Sequence, residues 1–362
     1  KTSDAYVLTV STEVLKICYK LLVLALLLIV PLILDFNLYI FYLTNYVAII
    51  LYIVSICIIF NRKNLFDNFP KFDDINFKLL SQEFLTYCKP LFVNNLVVIS
   101  TGAFSLWLLQ YTSGNSETGF YGLAYSIAAI CILFTSSLAP LAIREFSKLY
   151  ALDDIYEIKR IFTKYLRMMY GVSAYFSAFI FFNGELIVNL FADERFFGVS
   201  TVLLVMALYP MHQVYGQLSG GVFYATERVY LMRNITLIMC PLSLLFSIYF
   251  IYIMELGAVG LALSMVLTQV VDVNVQLIYN CRFLKVSLAK FIWHQVYSPF
   301  CFFILAFVSS RILEDFSVFL SLLASGAIYT LLSVIMILCL PEILSINKKQ
   351  IKNLFGQLLL NR

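Results

Sequence analysis

Ten stretches of the sequence are almost continuously apolar over about 20 residues, the length that a helix needs to cross a bilayer core. They lie at roughly 15–34, 38–60, 89–110, 119–142, 165–190, 200–225, 233–254, 257–280, 292–310 and 317–340. Some are separated by only two or three residues, which requires tight antiparallel hairpins. The pattern predicts an all-α polytopic membrane protein with about ten transmembrane helices.

The composition supports this class and excludes others. Of the 362 residues, 62% are hydrophobic and 13% are charged, and the mean hydropathy is +0.90. A soluble domain carries about 25% charged residues. Because so apolar a chain could not cover itself with polar surface in water, soluble enzymes, nucleic-acid-binding proteins and secreted disulfide scaffolds are excluded. No nucleic-acid partner is expected.

Residue types that hold metals and cofactors are sparse. The eight cysteines contain no CxxC pair, and the two histidines, His212 and His294, are too few for a metal cluster. The sequence contains no GxxxxGK[ST] loop that would bind a nucleotide. We therefore expect no metal, no cofactor and no catalytic activity.

The positive charges fix the orientation of the spans. All but two of the 25 lysines and arginines lie in or beside the segments on one side of the predicted membrane. Arg195 and Arg311 are the two exceptions. Cytoplasmic segments of membrane proteins are enriched in lysine and arginine, so both ends of the chain are predicted to be cytoplasmic.

Three inner segments combine basic residues with apolar residues at helical spacing: the linker at 62–88, the stretch that follows Asp153 and Asp154, and the tail at 342–362. Such segments are typical of helices that lie on an anionic inner leaflet, so membrane lipids are expected partners. For the middle segment, a solvated extension of a membrane helix is an equally good interpretation.

The eighth span contains Asp272 within a polar stripe. Thr268 and Gln276 lie four residues to either side of Asp272, and Gln269 lies three residues before it. A polar face of this kind does not face lipid, so it indicates a cavity-lining acid that binds a cation, a proton or substrate. The alternative is an aspartate tied to a lysine or arginine on a neighbouring helix.

The sixth span also has a polar face. Its members are Tyr209, Gln213, Gly216, Gly220 and Tyr224, with His212 and Gln217 alongside. The spacing of Gly216 and Gly220 favours close helix packing. His212 is a candidate proton carrier, although a lone membrane histidine is more often part of a hydrogen-bonded structure. Pro210 predicts a kink.

Further polar residues mark the third span and the inner mouth. Asn94 and Asn95 are candidate cavity residues in the third span. Lys89, Arg144 and Arg233 all belong to the inner mouth, where they would favour anionic groups such as lipid phosphates. For each of these residues taken alone, the general excess of positive charge inside is the simpler explanation.

Several short motifs resemble those of the bacterial oligosaccharide flippases, which transport O-antigen or capsule repeat units and belong to the multidrug/oligosaccharidyl-lipid/polysaccharide exporter superfamily. The motifs are Gly119–Tyr125, Leu138-Ala139-Pro140, Glu185–Phe191, Ala225–Arg228 leading to Arg233-Asn234, and Gly257–Ala262. One position departs from the family: many relatives carry an Asp-Arg pair where this chain has Ser105-Leu106. A charge-coupling role at that place is therefore not carried over.

The resemblance implies part of a two-lobe exporter fold. Residues 1–61 match the last two helices of the amino-terminal lobe, and 62–88 match a cytoplasmic linker. Residues 89–285 match a six-helix carboxyl-terminal lobe, 286–341 two additional helices, and 342–362 a cytoplasmic tail. About four amino-terminal helices of the family are then expected to be missing from this sequence.

The resemblance also implies a function. A flippase of this family moves a polyprenyl-diphosphate-linked oligosaccharide across the bacterial cytoplasmic (inner) membrane by alternating access, for lipopolysaccharide or other surface polysaccharide biosynthesis. Glycosyltransferases and a polysaccharide polymerase are expected partners. Three alternatives remain open from the sequence: a cation-coupled multidrug exporter, a polytopic glycosyltransferase or polymerase, and an inactive fragment. Short outer loops argue against the enzyme, and the single Asp272 argues against the drug exporter.

Overall fold

The computed structural model describes several positions between 14 and 29, and then residues 37–62, 76–192, 194–311 and 317–345. All regular structure in these ranges is helical. The α-helices are α1 (Leu38–Arg62), α2 (Phe77–Ala129), α3 (Leu133–Ala151), α4 (Ile155–Phe191), α5 (Val199–Met206), α6 (Tyr209–Ala225), α7 (Val229–Ser247), α8 (Gly257–Leu284), α9 (Leu288–Arg311) and α10 (Val318–Cys339). The predicted all-α class is confirmed.

Seven helices within the described ranges are long and apolar enough to cross a membrane. Two of the predicted spans are broken instead of continuous. The fourth is interrupted by a short 3-10 turn at Ile130–Ile132, and the sixth is divided between α5 and α6. The first span, the linker around Asp73 and Asp74 and the tail from 346 onwards lie largely or wholly outside the described residues.

The chain divides into two units, residues 1–86 and 87–362. In the first unit, α1 begins after Asn37, whose side-chain oxygen accepts a hydrogen bond from the Ile40 amide at 3.0 Å. Most of its large apolar side chains are exposed, as expected of a helix that contacts lipid.

The second unit is organised around α4, α6 and α8. α6 packs against α3, α4, α7 and α8, while α9 and α10 pack against α4 and against each other. The main core joins aromatic side chains of α3, α4, α6 and α9, among them Phe146, Phe162, Tyr215 and Phe302. These four side chains are fully buried, so the packing of α4 and α6 fixes the position of the helices around them.

α4 is one continuous helix of 37 residues. Asp154 caps its start, because its carboxylate accepts a hydrogen bond from the Glu157 amide at 2.9 Å. The amphipathic segment after Asp154 is therefore an extension of a membrane-length helix rather than a separate helix on the bilayer surface.

A glycine separates the predicted third and fourth spans. α2 is interrupted at Gly114, which has a φ of 87° and a ψ of −176°. This conformation is readily adopted only by glycine, because it lacks a Cβ atom. The side chains of Gln110 and Asn115 hydrogen-bond across this break at 2.9 Å.

Candidate functional site

A cavity of about 760 Å³ lies in the second unit, between α2, α6, α7 and α8. Each of these helices is apolar on other faces and contributes polar side chains to the cavity. The polar residues of its lining include Thr101, Ser105, Tyr121, Tyr125, Tyr209, Gln213, Ser243, Ser247, Ser264, Thr268, Gln269 and Asp272. The cavity thus brings polar side chains of four otherwise apolar helices together.

Asp272 is the one acidic residue among the described residues that line the cavity. Its carboxylate accepts a hydrogen bond from Gln276 Nε2, one turn further along α8, at 2.9 Å. Within the described ranges, no lysine or arginine forms an ion pair with Asp272. The structure thus shows a carboxylate at a cavity wall, and it does not show the predicted alternative of an aspartate tied to a basic side chain.

Next to Asp272, α8 carries two further cavity residues, Thr268 and Gln269. Thr268 Oγ1 is buried and has no hydrogen-bond partner among the residues that the structure describes. Gln269 Nε2 lies 3.0 Å from the position that a Cβ on Gly216 would occupy. Gly216 therefore lets α6 approach α8 closely and leaves room for the Gln269 amide.

Serine hydroxyls connect three walls of the cavity. Ser105 Oγ on α2 lies 3.1 Å from Ser247 Oγ on α7, and Ser247 Oγ lies 2.9 Å from Ser264 Oγ on α8. Ser264 Oγ also donates to the Ser243 carbonyl at 3.2 Å. These hydrogen bonds satisfy hydroxyls that would otherwise be buried without a partner. The series of serines therefore stabilises the contact between the three helices.

Tyrosines form a fourth side of the cavity. The rings of Tyr121 and Tyr125 are stacked with centroids 6.2 Å apart, and Tyr125 lies 6.0 Å from Tyr209 on α6. The Tyr121 hydroxyl contacts the sulfur of Met265 at 3.0 Å. Aromatic faces beside hydroxyl groups suit a ligand that has both apolar faces and hydroxyl groups.

The predicted site residues fall into two groups. Asp272, Gln269, Thr268, Tyr209 and Gln213 line the cavity, and Gln276 lies behind Asp272 as its hydrogen-bond donor. The residues outside the lining are Asn94, Asn95, His212 and Gln217.

Of that second group, Asn94 is buried and Asn95 is exposed. His212 instead faces Tyr170 on α4, with ring centroids 6.3 Å apart. The structure therefore does not bring the predicted proton carrier into the cavity that contains Asp272.

The structure does not link the three basic residues predicted at the inner mouth. Lys89 is exposed, while Arg144 and Arg233 are partly buried. The Arg233 guanidinium donates to the neighbouring Asn234 side chain and lies 5.3 Å from the Tyr230 ring. A joint role in binding phosphate stays a prediction.

Four residues of α7 were not identified from the sequence. Thr236, Cys240, Ser243 and Ser247 line the cavity at successive spacings of four, three and four residues. This is the period of one helix face. Serine, threonine and cysteine are common in membrane helices, so only their spacing along one face could have indicated that they line a cavity.

The cavity lining suits some ligands better than others. Among its described residues there is one carboxylate and no lysine, arginine or histidine, and most of the polar groups are hydroxyls and amides. Carboxylate, hydroxyl and amide oxygens bind hard cations. The same groups hydrogen-bond to uncharged hydroxylated molecules, whereas an anion gains no ionic contact here.

No protein-family model and no curated protein sequence matches this chain. Among solved structures, the chain is similar to the lipid II flippase MurJ in its inward closed conformation, with a TM-score of 0.54 and 16% sequence identity. The match covers 84% of this chain and 63% of that chain. At this level of identity the likeness shows the fold alone, so this chain has an all-helical membrane-protein fold similar to that of this structure.

Proposed function

We propose that this chain is part of a membrane transporter that moves an oligosaccharide linked to polyprenyl diphosphate from the inner to the outer leaflet. The observation that carries the proposal is the cavity between α2, α6, α7 and α8, which is rich in hydroxyls and tyrosines yet lies among apolar helices. The fold, which is similar to that of an exporter, supports it, as does the function of that similar structure, a lipid II flippase.

In this proposal the sugar occupies polar space in the protein while the lipid tail stays in the bilayer. Alternating access would expose the sugar site first to one side of the membrane and then to the other. The product would supply surface polysaccharide synthesis, such as that of O-antigen or capsule. We therefore propose glycosyltransferases and a polymerase as partners, and the bacterial cytoplasmic membrane as the location, with both ends of the chain inside.

Asp272 is proposed to bind the cation or proton that drives the cycle. Its carboxylate has one hydrogen bond from Gln276, and Thr268 Oγ1 and Gln269 are the nearest polar groups along the same face of α8. An acid inside a membrane bundle is costly and is usually retained for function.

The first experiment deletes the gene and quantifies lipid-linked oligosaccharide by leaflet in right-side-out and inverted vesicles. Accumulation on the cytoplasmic side is the expected result. An unchanged distribution would refute the flippase proposal. If new sensitivity to cationic drugs accompanied it, the multidrug exporter would be favoured instead.

Complementation of the deletion tests Asp272. Asp272→Asn keeps the side-chain shape but removes the negative charge, so we expect normal membrane expression and loss of transport. The matched control is Asp153→Asn, because Asp153 is an exposed acid with a φ of 57°, which asparagine also tolerates. Wild-type transport by Asp272→Asn would remove Asp272 from the mechanism.

A further inference from the structure

A second polar cluster lies away from the cavity, where α4, α6 and α9 meet. We call Arg167, Tyr215, His294 and Gln295 the Arg167 cluster. Arg167 is partly buried and its Nε atom is fully enclosed, with no hydrogen-bond partner within the protein. Its guanidinium lies 5.4 Å from the Phe291 ring, and no described carboxylate forms an ion pair with it. Among the described residues, the positive charge of the cluster thus has no carboxylate in direct ion-pair contact.

Two neutral donors accompany this charge. The Tyr215 hydroxyl is buried beside the Gln295 side chain, and neither this hydroxyl nor Gln295 Nε2 forms a hydrogen bond with the described residues within the usual distance and angle limits. Tyr170, three residues after Arg167 on α4, connects the two sides of the cluster, because its ring centroid lies 4.9 Å from that of Tyr215 and 5.8 Å from that of His294. Because buried polar groups are nearly always paired, several unpaired donors beside one charge indicate a binding site for an anion.

His294 adds an acceptor to the cluster. Its Nε2 lies 2.9 Å from the Ile343 carbonyl, which can only accept, so Nε2 carries the ring proton. In the neutral ring Nδ1 is then an acceptor, and it is buried without a partner. A ligand that fits the cluster therefore combines an anionic group with a hydroxyl that can donate.

The position of the cluster limits where such a ligand comes from. Arg167 follows the start of α4 by 12 residues, about 18 Å of helix, and α4 is longer than a bilayer core requires. Gln295 and His294 lie in the first two turns of α9. Arg167 and Gln295 are partly exposed whereas Tyr215 and His294 are buried, so a ligand would reach the cluster from the side of Arg167 and Gln295.

From this geometry we propose that the Arg167 cluster binds a phosphate ester that carries a free hydroxyl, supplied by the headgroup of phosphatidylglycerol in the surrounding membrane. Arg167, Tyr215 and Gln295 donate to the phosphate oxygens, and a headgroup hydroxyl donates to His294 Nδ1. The proposal is independent of the transported substrate, since none of the four residues lines the cavity.

The test titrates phosphatidylglycerol, phosphatidic acid, phosphatidylcholine and soluble glycerol 1-phosphate into the purified full chain and follows the thermal unfolding midpoint. We expect phosphatidylglycerol to raise the midpoint most, phosphatidic acid less because it lacks the glycerol hydroxyls, and phosphatidylcholine least. Arg167→Gln should lower the apparent affinity for phosphatidylglycerol at least tenfold. Arg160→Gln is the control, since it removes the same charge from an exposed position of the same helix.

Tyr215→Phe keeps the test decisive if Arg167→Gln fails to fold. The Tyr215 hydroxyl lies beside Gln295 but forms no regular hydrogen bond with the described residues, so its removal should leave folding intact and lower the affinity about threefold to tenfold. Equal responses of wild type, Arg167→Gln and Tyr215→Phe to phosphatidylglycerol would overturn the site. A full response to glycerol 1-phosphate without the lipid would overturn the membrane source and assign the site to a soluble phosphate ester.

Discussion

Gly257 shows how a single residue can fix the contact between two helices of the second unit. Its φ is 53°, which ordinary side chains rarely adopt. Directly after it, the Ala258 amide donates to Glu117 Oε2 at 2.7 Å. The Glu117 carboxylate, from α2, thereby satisfies a backbone donor in the first turn of α8 and lies at the positive end of the helix dipole.

We expect Gly257→Ala to destabilise the protein by about 1–3 kcal/mol, the usual cost of a strained backbone position. A Cβ at Gly257 would lie 2.6 Å from Glu117 Oε2, so the carboxylate would also have to move. The measurement is thermal unfolding in detergent. Gly119→Ala is the matched control, because a Cβ there meets nothing within 4 Å. Equal midpoints for the two variants would contradict this reading of Gly257.

At the scale of single residues, only part of the candidate site could be predicted from the sequence. Asp272, Gln269 and Thr268 were identified because an acid and an amide are conspicuous in an apolar helix. Ser243 and Ser247 were not, since a hydroxyl in a membrane helix can bond to its own backbone and need not mark a cavity. Which hydroxyls turn towards each other is decided by helix packing, which the sequence of one helix does not specify.

At the scale of elements, the turn after α10 connects the last two helices to α4 in the second unit. Residues Pro341–Leu344 form a short 3-10 helix, and Ile343 is fully buried. The Ile343 carbonyl contacts His294 on α9, while Gly171 on α4 provides the space that this turn occupies. One short turn therefore contacts both α4 and α9.

Gly171→Val should displace this turn. A Cβ at Gly171 would lie 2.6 Å from Leu344 Cδ2 and 3.2 Å from the Ile343 backbone oxygen, and the backbone atom cannot rotate away. We expect a loss of about 1–3 kcal/mol, typical of overpacking. Thermal unfolding measures it, with Gly119→Val accounting for the helix propensity of valine. No difference between the variants would mean that the turn does not hold α9 to α4.

Hydropathy predicted where helices occur but not where they break. α5 and α6 form one apolar stretch in the sequence, yet they separate at Ala207 and Leu208. Pro210 was expected to kink a continuous helix and instead lies in the first turn of α6, where its missing amide proton costs nothing. The boundary between α5 and α6 depends on tertiary contacts, which the hydropathy of the sequence does not describe.

At the scale of the whole molecule, the distribution of charge predicts the orientation in the membrane. The break at Gly114 belongs to a segment predicted to face outward, and the end of α3 belongs to one predicted to face inward. The fold class and the helix order followed from the sequence. The division into lobes rests on the resemblance and stays a prediction.

Cysteine labelling in intact cells tests this orientation. In a variant without the eight native cysteines, Asn115→Cys should react with a membrane-impermeant maleimide, whereas Lys148→Cys should react only after the cells are opened. Both positions are exposed, so access to reagent is limited by the membrane and not by packing. The opposite pattern would invert the predicted topology, and labelling of both from outside would refute the span assignment between them.

The serine chain of the cavity also has a direction. Each hydroxyl has one proton to donate. When Ser264 gives its proton to the Ser243 carbonyl, Ser247 is left to donate to Ser264, and Ser105 to Ser247. Ser105 Oγ, at the end of this series of serines, then offers a ligand only lone pairs and no proton. A sugar hydroxyl that points its proton at Ser105 would be accepted there, whereas an ether or carbonyl oxygen in the same place would be repelled.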